Sequence, residues 1–195
     1  MSASNKKRCP WPSDIPIMIK YHDREWGVPV HNDRKLFEFL LLEGFQAGLS
    51  WLTILNKREN FKRAFDNFDF NKIALFDKRK INSLLKNEGI IRNRLKVESA
   101  VINAKAFINV RKEFGTFDKY IWSFTGGKQI INKFKSLKEI PPRTELSDRI
   151  SKDLVKRGFK FVGSTIIYAH MQATGMVNDH LVECFRYKEI INNHS

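Results

Sequence analysis

The apolar positions follow helical spacing along most of the chain, and sustained alternation of the kind strands show is absent. "NDRKLFEFLLLEG" offers Asn32 or Asp33 as a cap and sets Leu36, Phe37, Leu40 and Leu41 at helical intervals. "SWLTILNKRENFKRAF" opens on Ser50 and turns Leu52, Ile54 and Leu55 inward. Two short helices open on Asp69 and Asp77. The longest pattern, "RNRLKVESAVINAKAFINVRKEFG", carries a broad stripe of Leu95, Val97, Val101, Ile102, Phe107 and Ile108 and stops at Gly115. "FDKYIWSF" is a further short helix. After "IPPRT", Ser147 is placed to cap "DRISKDLVKRG", and "STIIYAHMQATG" forms a last apolar helix ending at Gly175. These patterns predict an all-α chain, a compact bundle of about eight helices without repeats.

A length of 195 residues suits one domain, taken as residues 1–195, with "MSASNKK" and the stretch 188–195 expected to fray. The helical hairpin is expected over about 78–113. No apolar run is long enough for a membrane span, and no apolar leader is visible, which points to a cytoplasmic protein with reduced thiols. A disulfide between Cys9 and Cys184, the only two cysteines, is disfavoured.

Charge changes the picture. Thirty-five basic residues against twenty-one acidic ones give a net +14. That excess suits a polyanionic partner, because neutralised phosphates release counterions. It is concentrated in "LLKNEGIIRNRLKV" and its surroundings: seven basic residues and one acid lie between Lys78 and Lys96. Gly89 turns the chain there, and a helix starts near Asn93 inside the positive zone, beside Arg92 and Arg94. Free N–H groups at that helix start can hold a phosphate without reading sequence. An ordinary αα-hairpin with a solvated basic face reads the same way.

Candidate chemistry lies in "YHDREWGVP" and "LEGFQAGLSW", which bring together Tyr21, Trp26, Glu43, Gln46 and Trp51, with Trp11 a little upstream. Each tryptophan alone is most simply core. Together with a carboxylate and close-approach glycines they suit a flat, cationic, hydrogen-bonding ligand, as an alkylated purine is. The positive ring is also a good leaving group, so hydrolysis of its glycosidic bond needs capture and electrostatics more than a strong general acid. At the two ends of the chain, Cys9 and His22, and His180 and Cys184, form a Cys₂His₂ set. His180 and Cys184, four apart on a helix, would face the same way, and the four would suit a closed tetrahedral zinc site. The spacing matches no standard finger, and two free cysteines with two surface histidines remain the alternative. His31, His170 and His194 are not counted as ligands; His170, on an apolar helix, reads as a core histidine.

"RCPW", "YHDREWGVP", "LEGFQAGLSW", "GIIRNRLKV", "RGFKFVGST" and "GMVNDHLVEC", in this order and at these distances, resemble the bacterial 3-methyladenine DNA glycosylase I family over about residues 8–185. The resemblance implies an all-α helix-hairpin-helix fold with a structural zinc ion on Cys9, His22, His180 and Cys184 joining the terminal segments. It implies excision of 3-methyladenine from double-stranded alkylated DNA, leaving an abasic site. Glu43 is then the carboxylate that holds the flipped base and Tyr21 and Trp51 line and stack it, with Trp11 and Trp26 close by. Leu49 stands where the family probes the base stack, and the hairpin at Gly89 holds phosphates. Met18 replaces an aromatic residue in one wall of the pocket, and Phe45 replaces a polar residue outside it. A monomer with no nucleotide cofactor is expected, as the default for an enzyme that scans DNA at the nucleoid, and since no lysine stands out as a Schiff-base nucleophile the strand is expected to stay uncut. A binding module that recognises alkylated DNA without cutting, or a single-strand binder, are the competing classes.

Overall fold

A computed structural model describes residues 6–193. Ten α-helices follow in order: α1 (Pro16–Arg24), α2 (Asp33–Gln46), α3 (Trp51–Ala64), α4 (Phe70–Ile73), α5 (Lys78–Lys86), α6 (Arg94–Phe114), α7 (Phe117–Ser123), α8 (Glu145–Lys156), α9 (Ser164–Ala173) and α10 (Phe185–Asn193). Most of the expected caps are in place. Asn32, Ser50, Asp77 and Asn93 each accept from the backbone N–H three residues on, and Asp69 accepts from Asn71 and Lys72. α6 stops at Gly115, whose φ of 84° suits glycine.

Several expectations are corrected. Thr144, not Ser147, caps α8; Ser147 is the reciprocal partner in a capping box, its hydroxyl accepting from the Thr144 N–H. Leu95 and Ile102 point to solvent, because the buried stripe of α6 runs instead through Val97, Ala100, Ala104 and Phe107. α1 and α10 are helices that the sequence reading did not pick out. The segment 188–193 is helical. Lys6 pairs with Glu189, and the Lys7 carbonyl accepts from the Phe185 N–H, so the chain just before Cys9 lies along α10. Residues 1–5 and His194 lie outside the described residues. A two-residue parallel pairing joins β1 (Ile130–Ile131) to β2 (Val177–Asn178).

α2 is the central helix. "FEFLLLEGF" is apolar on nearly every side, and α2 packs against α3, α6, α7 and α9. Phenylalanines knit it to its neighbours: Phe37 meets Phe107 edge-on at 4.9 Å, Phe107 stacks on Phe117 at 4.2 Å, and Phe45 meets Phe61 at 4.7 Å. Phe45 is therefore core. One residue in this helix contradicts the environment: Glu43 is only 4% exposed. A buried carboxylate with no counter-charge is a cost that packing does not explain.

Candidate base pocket and metal clasp

Glu43 projects from the last turns of α2 into a cavity of about 330 Å³, lined by Trp11, Met18, Tyr21, Trp26, Trp51, Gln46, Leu137, Ile140, Ala169 and Gln172. That volume falls at the lower end of small-molecule sites, which run from about 300 to 1,000 Å³. Four of the aromatic residues singled out in the sequence meet here. Trp11 lies edge-on to Trp26 at 5.1 Å and to Tyr21 at 6.3 Å, and Tyr21 approaches Trp51 at 5.3 Å. Met18 gives one wall a flexible thioether.

The cavity has the electrostatics of a cation site. The Glu43 carboxyl makes no hydrogen bond or ion pair with any described residue, and burial pushes its pKa up to about 8. Burial, followed by the nearby Glu43 charge, raises Tyr21 well above the usual phenol range. A positive ligand would relieve both effects. No lysine or arginine lines the cavity. Arg58, whose charge acts on Tyr21, is occupied: it forks onto Glu25 at 2.9 and 2.8 Å and reaches Glu38 at 2.7 Å. Those bonds tie the loop after α1 to α2 and α3.

Beside the pocket, the donor atoms of Cys9, His22, His180 and Cys184 all lie within 4.8 Å of one another, and all four residues are buried. Cys184 Sγ stands 3.5 Å from His22 Nε2 and 3.5 Å from His180 Nδ1, and Cys9 Sγ stands 3.7 Å from His180 Nδ1. Thiolate and imidazole donors on a tetrahedral ion with bonds of ~2.3 and ~2.0 Å sit about 3.5 Å apart. The outer nitrogens are committed elsewhere. His22 Nδ1 donates to Asp23 at 2.7 Å and His180 Nε2 donates to the Trp26 carbonyl at 2.9 Å, which leaves the inward nitrogens free to bind an ion. Asp23 is itself gripped by Arg8. The Leu181 N–H donates to Cys9 Sγ at 3.4 Å. The donor set fits a metal ion.

The route by which His180 and Cys184 meet differs from the one expected. They are not on a helix: residues 180–184 form a turn between β2 and α10. The four-residue spacing works because that turn folds both side chains inward. The clasp and the pocket share a wall, for Trp26 contacts His180 at 4.6 Å and Trp11 contacts His22 at 5.3 Å, both edge-on. Gly175, after α9, lets the chain pass tightly against the Val28–Pro29 backbone, where a Cβ would lie 2.3 Å away. His170 is a core histidine, as read: Nε2 donates to the Leu36 carbonyl at 3.1 Å.

Leu49 is 41% exposed, on the turn between α2 and α3 that Gly48 makes at φ 78°. A second cavity of about 200 Å³ opens beside it, bounded by Glu43, Gln46, Ala47, Thr165, Ile166 and Ala169, so Glu43 faces both. The Gly89 hairpin forms from α5 and α6, with Gly89 N–H donating to Asn87 Oδ1. Arg92 and Arg94 are exposed; they pair with Glu88 and Glu98 on their own hairpin at 3.3 and 3.2 Å, and Arg94 also donates to Asn82 Oδ1 at 3.4 Å. Lys96, counted among the basic residues of that zone, is turned inward. Its Nζ donates to the carbonyls of Phe45 and Ala47 at 2.9 and 2.5 Å, closing the end of α2 and binding the start of α6 to the Leu49 turn. Sequence reasoning missed Leu137, Ile140, Ala169 and Gln172. Nothing in the sequence set Gln172 apart, because α9 also carries Ser164, Thr165, Tyr168 and His170.

A family model for methyladenine glycosylases matches residues 11–187. The chain is 48% identical over 177 residues to a DNA-3-methyladenine glycosylase of Haemophilus influenzae, covering 91% of this chain and 96% of that one. It is 46% identical over 181 residues to DNA-3-methyladenine glycosylase 1 of Escherichia coli K12, covering 93% and 97%. A crystal structure of 3-methyladenine DNA glycosylase I superposes with a TM-score of 0.90 at 49% identity, covering 92% of this chain and 98% of that one. A variant of such an enzyme in complex with 3-methyladenine superposes at 0.89 with 32% identity, covering 91% and 96%. With its fold, its aromatic pocket and nearly its whole length matched, the chain belongs to the methyladenine glycosylase family.

Proposed function

We propose that the chain is one glycosylase domain that flips 3-methyladenine out of alkylated double-stranded DNA and hydrolyses its N-glycosidic bond. The observation that carries this reading is the unpartnered, buried Glu43 in a cavity walled by tryptophans. The relative bound to 3-methyladenine supports it. A cationic purine stacks on Tyr21 and Trp51, with Trp11 and Trp26 closing the rear, and gives Glu43 the partner it lacks. A neutral base gains less from both contacts. The C1′–N bond then breaks, its electron pair neutralises the ring, and water supplies the new C1′–O bond while its proton passes to solvent. The absence of lysine from the cavity wall among the described residues supports a monofunctional reaction that leaves an abasic site with the strand uncut.

DNA is taken to run across the mouth, with Leu49 probing the stack and with Arg92, Arg94 and the Gly89 turn holding phosphates on one side. The start of α9, whose Thr165 and Ile166 border the second cavity, lies beside the same mouth. In the clasp, zinc is the ion that two thiols and two imidazoles favour. Held by Cys9, His22, His180 and Cys184, it would supply a crosslink and no reaction chemistry. His22 follows Tyr21 directly, so the clasp fixes that wall of the pocket. The protein is taken to act as a monomer in the bacterial cytoplasm, on DNA at the nucleoid. No described helix is long and apolar enough to cross a membrane. The test is incubation with methylated duplex DNA and chromatography of the released bases. Release of 3-methyladenine well above the spontaneous rate, with strand breaks only after alkali, is expected. Tight salt-sensitive binding without base release would point instead to a recognition module.

A further inference from the structure

α9 faces the pocket through Ala169 and Gln172, one turn apart. Gln172 is held in a particular way. Its Nε2 donates to Asp179 Oδ2 at 2.7 Å. Asp179 is 1% exposed and accepts two further hydrogen bonds, from the Tyr168 hydroxyl at 2.6 Å and from Asn132 Nδ2 at 2.6 Å. A carboxylate offers acceptors only, so the amide must give it the nitrogen. The amide oxygen is left without a hydrogen bond to any described residue, on a side chain that lines the cavity. The backbone of the same residue is pinned as well, its carbonyl accepting from the Gly27 N–H at 2.9 Å.

We propose that Gln172 determines which alkylated purine is accepted: its Oε1 takes a hydrogen bond from the exocyclic amino group of an adenine-type base and rejects the carbonyl that a guanine-type base carries at the same place. The inference rests on the glycosylase reading. A 6-amino group has two hydrogens. Glu43 on α2 and Gln172 on α9, two helices packed together, supply an acceptor for each. A guanine-type base would set its oxygen against the Gln172 oxygen away from water, where an unmatched pair of acceptors is costly. Asp179 is the positioning residue. Without its three-way grip the amide could turn over and offer Nε2, a donor, which would accommodate the carbonyl. The link also explains why the metal clasp and the pocket are built together, because Asp179 immediately precedes the ligand His180.

The test uses duplex DNA carrying both 3-methyladenine and 3-methylguanine, with kcat/KM for release of each base measured side by side. Gln172→Met keeps the length of the side chain and removes the acceptor. It is expected to lower 3-methyladenine release about tenfold and to leave 3-methylguanine release level or raised, so the ratio falls at least that far. The ratio is internal to each sample, so a general loss of folded protein leaves it unmoved. Asp179→Asn should lower the ratio in the same direction at unchanged metal content. A Gln172→Met enzyme with the wild-type ratio overturns the proposal, as does a wild-type enzyme that releases both bases equally well. Wild-type protein that releases neither base refutes the glycosylase reading itself, so the two failures are distinct.

Discussion

Glu43→Gln should make the protein more stable and less active, and the stability gain should depend on pH. The carboxyl titrates at about 8 in the folded chain against an ordinary value of 4.5. Between those values the folded state keeps a proton that the unfolded state has lost. Stability is therefore complete below 4.5 and falls as pH rises towards 8. At ~1.4 kcal/mol per pH unit the loss approaches about 3 kcal/mol by pH 7. Solvent filling a cavity of 330 Å³ reduces it. Glutamine does not titrate, so the variant escapes the loss. With ~2–4 °C per kcal/mol for a chain of this size, it should melt roughly 10 °C above the parent at pH 8, less as solvent fills the cavity, and only about 2 °C above it at pH 5. Base release at pH 7.5 should fall about ten- to a hundredfold, the value of a hydrogen bond to a charged group. Melting curves from pH 5 to 8.5, with base release on the same samples, decide it. A melting difference that is the same at pH 5 and pH 8 would refute the buried ionisation, and unchanged turnover would remove Glu43 from base capture.

Other substitutions separate the remaining parts of the machine. Cys184→Ser should lower metal content and thermal stability first, by several kcal/mol, with activity following; elemental analysis and melting test this, and lost metal at unchanged stability would refute the clasp. Leu49→Ala should reduce release from duplex DNA while leaving affinity for free 3-methyladenine intact, as measured by tryptophan fluorescence. Arg92→Ala with Arg94→Ala should weaken duplex binding and lower the salt slope by about 2, whereas Lys96→Met should leave the slope alone and destabilise the fold by about 2–3 kcal/mol, read by denaturant titration.

What the sequence determined by itself is local or chemical. Asn32, Ser50, Asp69, Asp77 and Asn93 start helices because a cap needs only its own next turn. Two cysteines and two histidines at opposite ends suggested a ligand set by their chemistry but left free thiols as the alternative, and the mix of tryptophans with Glu43 suggested a cation pocket; their convergence came only with the fold. Side-chain direction was a different matter, because it depends on which neighbour happens to lie opposite. Leu95 and Ile102 fit the helical period of α6 yet face solvent, where no element covers them. Lys96 sits in a basic run yet turns inward, because two open carbonyls at the end of α2 wait within reach. His180 and Cys184 converge through a turn that no periodicity describes. The raised pKa of Glu43 and the fixed amide of Gln172 exist only once α1, α2, α3 and α9 have closed around one cavity, since desolvation and hydrogen-bond competition are properties of the assembled surroundings and of no segment alone.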